Sequence, residues 1–261
     1  MLASYIEILR HKVPLVQNIT NFVAMNLVAN TQIAVGASPA MVHSMEEVTE
    51  FIEIADALTI NIGTVDTDWG KSMLAAASIA SKINKPWVLD PVALGTTKFR
   101  HQLASRLLAI KPTVLRGNAS EIIALNASWK RRGKGVDSID TVTDAENAAK
   151  QLARCIAGVV AVSGSVDFIT NGEHSMRVFG GSEMMSKVTA IGCALTGVIG
   201  AFIVDQQPFG ATIAAHACFN YAGSIAAQYA AGPATFNSAM IDALYSIKPS
   251  AINNEIKIEE A

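Results

Sequence analysis

Short β-rich apolar runs alternate with longer helical patterns along this chain, and that alternation restricts the possible folds more than any other feature. The runs ALTINIG (57–63), KPWVLDPVAL (85–94), PTVLRG (112–117), AGVVAVSG (157–164) and VDFITNG (166–172) have the length and composition of strands. GKSMLAAASIASKIN (70–84) separates the first two, and TDAENAAKQLARCIAG (143–158) precedes the fourth, with Asp/Thr starts and Gly ends as helix boundaries. Strands and helices in this order predict an α/β fold: a mostly parallel sheet with helices on both faces, joined by right-handed crossovers. From Thr189 onward the pattern predicts helix almost throughout, broken at QQPFG and AAGPATF. The segment NASWKRRGKGVDSIDTVTD (126–144) reads as a basic, Gly-containing loop, and no internal repeat or linker stands out.

Ligands of such sheets collect beyond the carboxyl ends of the strands. Four candidate strands end in segments that merit attention: NIGT, LDPVALG, LRGNASE and VSGSVDF. Asp90 closes a strand and Pro91 stops it, so the carboxylate sits on a rigid edge, either to cap the next turn or to serve a site. Asn118 and Glu121 are three apart at a helix start. That spacing alone favours a capping box; it also suits an ion such as Mg²⁺, which keeps several waters and takes few protein oxygens. Gly192 and Cys193 open the small-residue stretch GCALTGVIGAF, which reads as a buried helix. Free amides from Ile191 to Ala194 there would suit an anion, while a buried thiol at a tight turn is the plainer reading. The KRRGK run (130–134) reads as a solvated face, and a core place for at least one of Met41 and Met45 is the default.

Composition decides what kind of partner to expect. With 261 residues and a net charge of -2, the chain has material for one large domain or two small ones and no electrostatic footprint for nucleic acid or an anionic membrane. A small molecule or another subunit is the expected partner. Cys155, Cys193 and Cys218 are odd in number and widely spaced, which argues against a disulfide framework and for a reducing, cytoplasmic setting. The start MLASYIEILRHKVPLV carries Glu7 inside its apolar stretch and does not read as a secretory signal. The five histidines show no metal-ligand spacing and no Cys-x-x-Cys occurs, so zinc or an iron–sulfur cluster is not expected.

Taken in order, QNITNFVAMNLVAN, GASPAM, NIGT, LDPVALGTT, LRGNASEI, VSGSVDF, VTAIGCALTG and GPATF resemble hydroxyethylthiazole kinases of thiamine salvage, and the resemblance covers nearly the whole chain. It implies a single domain over residues 1–261 with a ribokinase-like three-layer fold. It also implies transfer of the γ-phosphoryl of ATP to the primary hydroxyl of 4-methyl-5-(2-hydroxyethyl)thiazole, in a homotrimer with active sites between subunits. By motif, Asp90 and Glu121 match the carboxylates around Mg²⁺, and Arg116, Asn118 and Ser163 fall on the ATP side. Asn21, Met41, Gly63 and Ala190 match the thiazole side, and Gly192 and Cys193 match the catalytic helix start. A thiol with a reference pKa of about 8.5 would there be lowered by the helix start and raised again by phosphate, giving a mild late proton acceptor and not a covalent nucleophile. Two departures stand out: Ala190-Ile191-Gly192-Cys193 replaces a common Gly-Thr-Gly-Cys form, and Ser163 replaces a Thr. The competing expectations are another vitamin-precursor kinase of the same fold, acting on hydroxymethylpyrimidine or pyridoxal, and a non-catalytic binder of thiazole or nucleotide.

Overall fold

The computed structural model describes residues 2–131 and 142–261. In chain order the elements are α1 (Ala3–Lys12), β1 (Leu15–Ile19), α2 (Met25–Val35), β2 (Ser38–Ala40), α3 (Val48–Ile54), β3 (Ala57–Asn61) and α4 (Thr67–Lys82). Next come β4 (Trp87–Asp90), α5 (Lys98–Ala109), β5 (Val114–Asn118), α6 (Ala119–Arg131), α7 (Val142–Ile156), β6 (Val159–Ser163), β7 (Asp167–Thr170) and β8 (Ser175–Val178). A 3-10 turn at Glu183–Lys187 leads into α8 (Ile191–Phe202), α9 (Pro208–Tyr229), α10 (Pro233–Ser246), α11 (Pro249–Asn254) and β9 (Ile258–Glu260).

The strands form one nine-stranded sheet in the order β2-β1-β3-β4-β5-β6-β7-β8-β9, parallel from β2 through β6 and antiparallel beyond. Alternate strand residues feed two separate cores, as the two-residue period of a strand requires. Val16, Ala57, Val88, Val114 and Ala161 pack with α1, α2 and α8 to α10, while Leu58, Leu89, Leu115 and Val160 pack with α3 to α7. The sheet is therefore a middle layer between two helical ones. The chain steps from β1 outward to β2 and then returns to β3 on the other side, so the strand order reverses around β1, the position where open α/β sheets place their crevices.

The helix α8 lies unusually close to this sheet. A Cβ on Gly200 would overlap the Thr59 methyl, so glycine there lets the backbone approach the strand. Below the carboxyl edge, Asn18 donates to Gln32 Oε1 at 2.8 Å and accepts from Thr59 Oγ1 at 2.6 Å, and Gln32 donates to the Gly197 carbonyl at 2.8 Å. This satisfied buried network fixes α8 against β1, β3 and α2.

Several sequence expectations need correction. The region after Thr189 is helix almost throughout, as α8 to α11, but its last residues form β9, which pairs antiparallel with β8. Residues 126–131 are the last turns of α6, not loop, and most of the basic 130–134 run lies outside the described residues. Neither Met41 nor Met45 joins a core: Met41 is half-buried and Met45 exposed.

Candidate active site

All but one of the residues singled out from the sequence lie at or just past the carboxyl ends of β1 to β6, or at the start of α8, which points its amino end at the same edge. The exception is Glu121, in the first turn of α6, the helix that leaves that edge directly after β5. Strand register does the aligning. Asn61, Asp90, Arg116 and Ser163 occupy neighbouring strands on the alternation that faces α8, and Asn61 pairs in register with Asp90.

Asp90 is the hub. It is fully buried, and its Oδ2 accepts from Asn61 Nδ2 at 2.7 Å and Thr196 Oγ1 at 2.8 Å, with Arg116 Nη1 3.6 Å away. Its Oδ1 is also buried and has no hydrogen-bond partner among the described residues. Burial drives the Asp90 carboxyl up to about 6 against the pull of Arg116, Thr196 and Asn61, and the charge of Glu121 adds to the rise.

Asn21 closes one side of this cluster. Its side-chain amide donates to Asn61 Oδ1 at 2.8 Å and to Cys193 Sγ at 3.4 Å, while its own carbonyl accepts from Val23 and Ala24. A Cβ on Gly63 would lie 2.7 Å from three Asn21 side-chain atoms, so only glycine lets Asn21 close here. Burial and then the Asp90 charge push the Cys193 thiol above its ordinary range, outweighing Asn21, Asn61 and Arg116. Sequence reasoning had balanced helix start against phosphate. Burial, which a sequence does not display, is the larger effect.

On the other side of Arg116 opens a cleft of about 870 Å³ lined by Arg116, Asn118, Ser163, Ala190 and Gly192 among others. Arg116 donates through Nη2 to Ser163 Oγ, and a Cβ on Gly192 would lie 2.7 Å from Arg116 Nη1. A guanidinium thus rests on the amino end of α8, which carries no side-chain cap. Two positive partners set face to face form a seat for an anion. Asn118 and Glu121 form the capping box that their spacing favours: Glu121 N–H donates to Asn118 Oδ1 at 3.0 Å and Asn118 N–H to Glu121 Oε2 at 2.9 Å. Glu121 Oε1 also accepts from Ala93 N–H at 2.9 Å, which ties α6 to the turn after Asp90. Met41 is the outlier, just past β2 and one strand beyond Asn21, its neighbour Val42 held through its carbonyl by Gln17 Nε2 at 3.1 Å.

Asn61 and Thr196 were missed. Each hides in an apolar run, and only the fold shows that both converge on one carboxylate. Arg100 was missed too: from α5 it donates to the carbonyls of Ile62, Gly63 and Val92, latching the turns after β3 and β4 together.

The model of the hydroxyethylthiazole kinase family matches residues 6–250. This chain belongs to that family. A hydroxyethylthiazole kinase of Cereibacter sphaeroides is 54% identical over 258 residues, covering 99% of this chain and 98% of that protein. One from Rhizobium johnstonii is 52% identical, covering 98% of this chain and 96% of that protein. Among solved structures, the hydroxyethylthiazole kinase protein of Pyrococcus horikoshii superposes with a TM-score of 0.93 at 38% identity over 100% of this chain and 98% of that one. A Staphylococcus aureus pyridoxal kinase superposes at 0.64 with 14% identity over 95% of this chain and 99% of that one, a likeness of fold alone, and the fold is ribokinase-like.

Against that family background the Ala190 departure acquires a structural meaning. Ala190 sits at φ +64°, in the left-handed region that glycine adopts without strain. Ala190→Gly is expected to stabilise the protein by about 0.5–1 kcal/mol, strain relief of about 1–2 kcal/mol outweighing the entropy of the added glycine. Denaturant unfolding measures it, and a less stable Gly variant would show that the αL residue is not strained.

Proposed function

We propose that this chain transfers the γ-phosphoryl of ATP to the primary hydroxyl of 4-methyl-5-(2-hydroxyethyl)thiazole, a step of thiamine salvage, in the cytoplasm. Beside family membership, the observation that carries this reading is the meeting of Arg116, Asp90 and Cys193 at the uncapped start of α8. The cleft takes the nucleotide, with Arg116, Asn118 and Ser163 along it and the phosphates reaching the amides of Ile191 to Cys193. The hydroxyl is delivered on the Asn21 side, with Gly63, Ala190 and Met41 around the thiazole.

The hydroxyl oxygen forms its bond to the γ-phosphorus as the bond to the bridging oxygen breaks. In a loose transition state of this kind the protein contributes position and charge more than base strength. Cys193, held by Asn21, orients the hydroxyl and takes its proton late in the small fraction of molecules whose thiol has first lost its own proton to solvent, a fraction that burial and Asp90 keep small. The Gly192 and Cys193 amides and Arg116 hold the charge on the moving group. Asp90 and Glu121 fit Mg²⁺: Asp90 has an unpartnered buried oxygen, and the Glu121 carboxylate, one backbone amide on each oxygen, keeps lone pairs to spare. When bound, that ion neutralises phosphate charge and orients the transferring group.

The homotrimer belongs to the same proposal. Phe22 and Val23, directly after Asn21, are 63% and 58% exposed, apolar surface beside the alcohol site that a neighbouring subunit would cover. Sedimentation of the protein at micromolar concentration should give three chains per particle; a monomer would remove this part of the reading.

The deciding experiment is ADP release with hydroxyethylthiazole, hydroxymethylpyrimidine and pyridoxal side by side. Turnover is expected with the first; turnover on another alcohol and none on the thiazole would reassign the substrate, and none on any would leave a binder. In the same assay Cys193→Ala should slow turnover by about 10–100-fold with ATP binding retained, at or below the low end of the ~10²–10⁴ of a general base because a loose transition state asks little of one. Cys193→Asp, whose carboxyl loses its proton more readily than a thiol, should match or exceed the native rate. A folded, substrate-binding Asp variant without activity would sink the proton-acceptor role.

A further inference from the structure

Behind the nucleotide cleft, α9 carries His216, Asn220 and Ser224 at intervals of four residues, so they share one face of the helix. His216 is fully buried, with its Nδ1 2.8 Å from Asp167 Oδ2, and Asn220 Nδ2 donates to the same oxygen at 3.0 Å. The other Asp167 oxygen, Oδ1, accepts from the Gly164 N–H at 2.9 Å. On the far rim, the Gly181 N–H donates to the Asn220 carbonyl at 3.0 Å and to Ser224 Oγ at 3.0 Å, and Ser224 Oγ donates to the Gly181 carbonyl at 3.2 Å. Gly164 and Gly181 both line the cleft, so one helix face holds both of its rims.

A carboxylate only accepts hydrogen bonds, so with Asp167 ionised the His216 proton must be on Nδ1. Burial opposes charge on Asp167. The charge and hydrogen bond of His216, the Gly164 amide and Asn220 together outweigh it and hold the carboxyl below its ordinary value. His216 Nε2 meanwhile is buried without a hydrogen-bond partner among the described residues. An apolar residue in its place would avoid that cost but could not orient Asp167.

We propose that His216 is a positioning residue for the nucleotide: acting through Asp167, it fixes the turn Ser163–Gly164–Ser165 so that the Ser163 hydroxyl and the turn stay aimed into the cleft. This rests on the reading that ATP occupies that cleft. A hydrogen bond to a charged group lost at this distance should weaken nucleotide binding and leave the alcohol side, across Arg116 and Asp90, untouched.

The test is steady-state kinetics on the full chain, because KM does not depend on the fraction of protein that folds. For His216→Ala the ATP KM should rise about tenfold, the scale of one such bond, while the thiazole KM stays within about twofold and kcat within about threefold. His216→Asn, whose amide can donate to the same oxygen, should recover most of the ATP KM. Asp167→Asn keeps the shape and carries the test if His216→Ala fails to fold; it should show the same selective rise. An unchanged ATP KM in either variant, equal rises in both KM values, or no rescue by His216→Asn would overturn the proposal. Ser163→Ala and Arg116→Ala run alongside. If both leave the ATP KM unchanged, the nucleotide lies elsewhere and both readings fall; if they raise it and His216→Ala does not, only the positioning role falls.

Discussion

Asp90→Asn is expected to make the empty protein more stable and nearly inactive. Asp90 is fully buried, and its carboxyl is pushed up to about 6 because burial disfavours the charge more than Arg116, Thr196 and Asn61 restore it. An unfolded aspartate titrates near 3.9, so between about pH 4 and pH 6 the folded state holds the proton more tightly than the unfolded state. Stability therefore falls as pH rises through that window, and at neutral pH the native protein carries a penalty of about 3 kcal/mol as an upper bound. Asparagine escapes it and still offers an acceptor to Asn61 and Thr196. Arg116 loses its counter-ion and keeps Ser163, so the net gain shrinks to about 1–2 kcal/mol, or roughly 2–6 °C in Tm. The gain should be present at pH 7 and absent at pH 4, measured without metal or nucleotide. Turnover should drop by about 10²–10³ or more, because the charge that balances Arg116, and that is proposed to hold Mg²⁺, is gone. A variant less stable at both pH values would show that Asp90 serves the fold, and one with near-native turnover would remove it from the site.

That conflict between stability and use explains much of what the sequence shows and hides. The five predicted strands were legible because each is a short apolar run; four contain an observed strand, β3, β4, β6 and β7, and β5 runs one residue past the fifth, to Asn118. β1 was not predicted, because LVQNI is interrupted by Gln17 and Asn18. Both are buried: Gln17 donates to the Val42 and Val48 carbonyls, and Asn18 ties β1 to α2 and β3. A polar pair inside a central strand resembles a loop until its partners are known. β2 is three residues around Pro39, and β9 is three residues that owe their existence to pairing with β8, some eighty residues earlier in the chain. Local pattern cannot report such pairings.

The site divides along the same line. Asp90 was visible as a carboxylate at a strand end and Cys193 as a thiol behind a glycine, while Arg116 and Ser163 were picked out only by the family resemblance. Asn61, Thr196 and His216 act through hydrogen bonds that cross between elements; NIGT and VTAIGCALTG contain the first two, but neither segment shows that these side chains reach Asp90. Asn118 and Glu121 show the opposite limit: the spacing identified a capping box correctly, and the fold alone shows that the same carboxylate also braces the turn after Asp90.

Gly192→Ala should cost more than Cys193→Ala, although it adds one methyl and removes no functional group. The added Cβ would lie 2.7 Å from Arg116 Nη1 and 2.8 Å from Nη2, closer than carbon and nitrogen approach without bonding. Arg116 is buried between Asp90 and Ser163, so its guanidinium has little room to retreat. Displacing it separates the guanidinium from the α8 amides, and the two halves of the anion seat no longer point at one place. Both act on charge that develops as the phosphoryl moves, where losing a preorganised donor costs about 10²–10³ in kcat, against about 10–100 for the thiol. Fold stability should fall by only about 1–2 kcal/mol, because the strain is confined to one side chain at the edge of a cleft. The comparison is kcat and the ATP KM for both variants in one preparation, with thermal unfolding alongside. A Gly192→Ala enzyme faster than Cys193→Ala would place the main source of acceleration in the proton acceptor, not in the helix start that faces the phosphate.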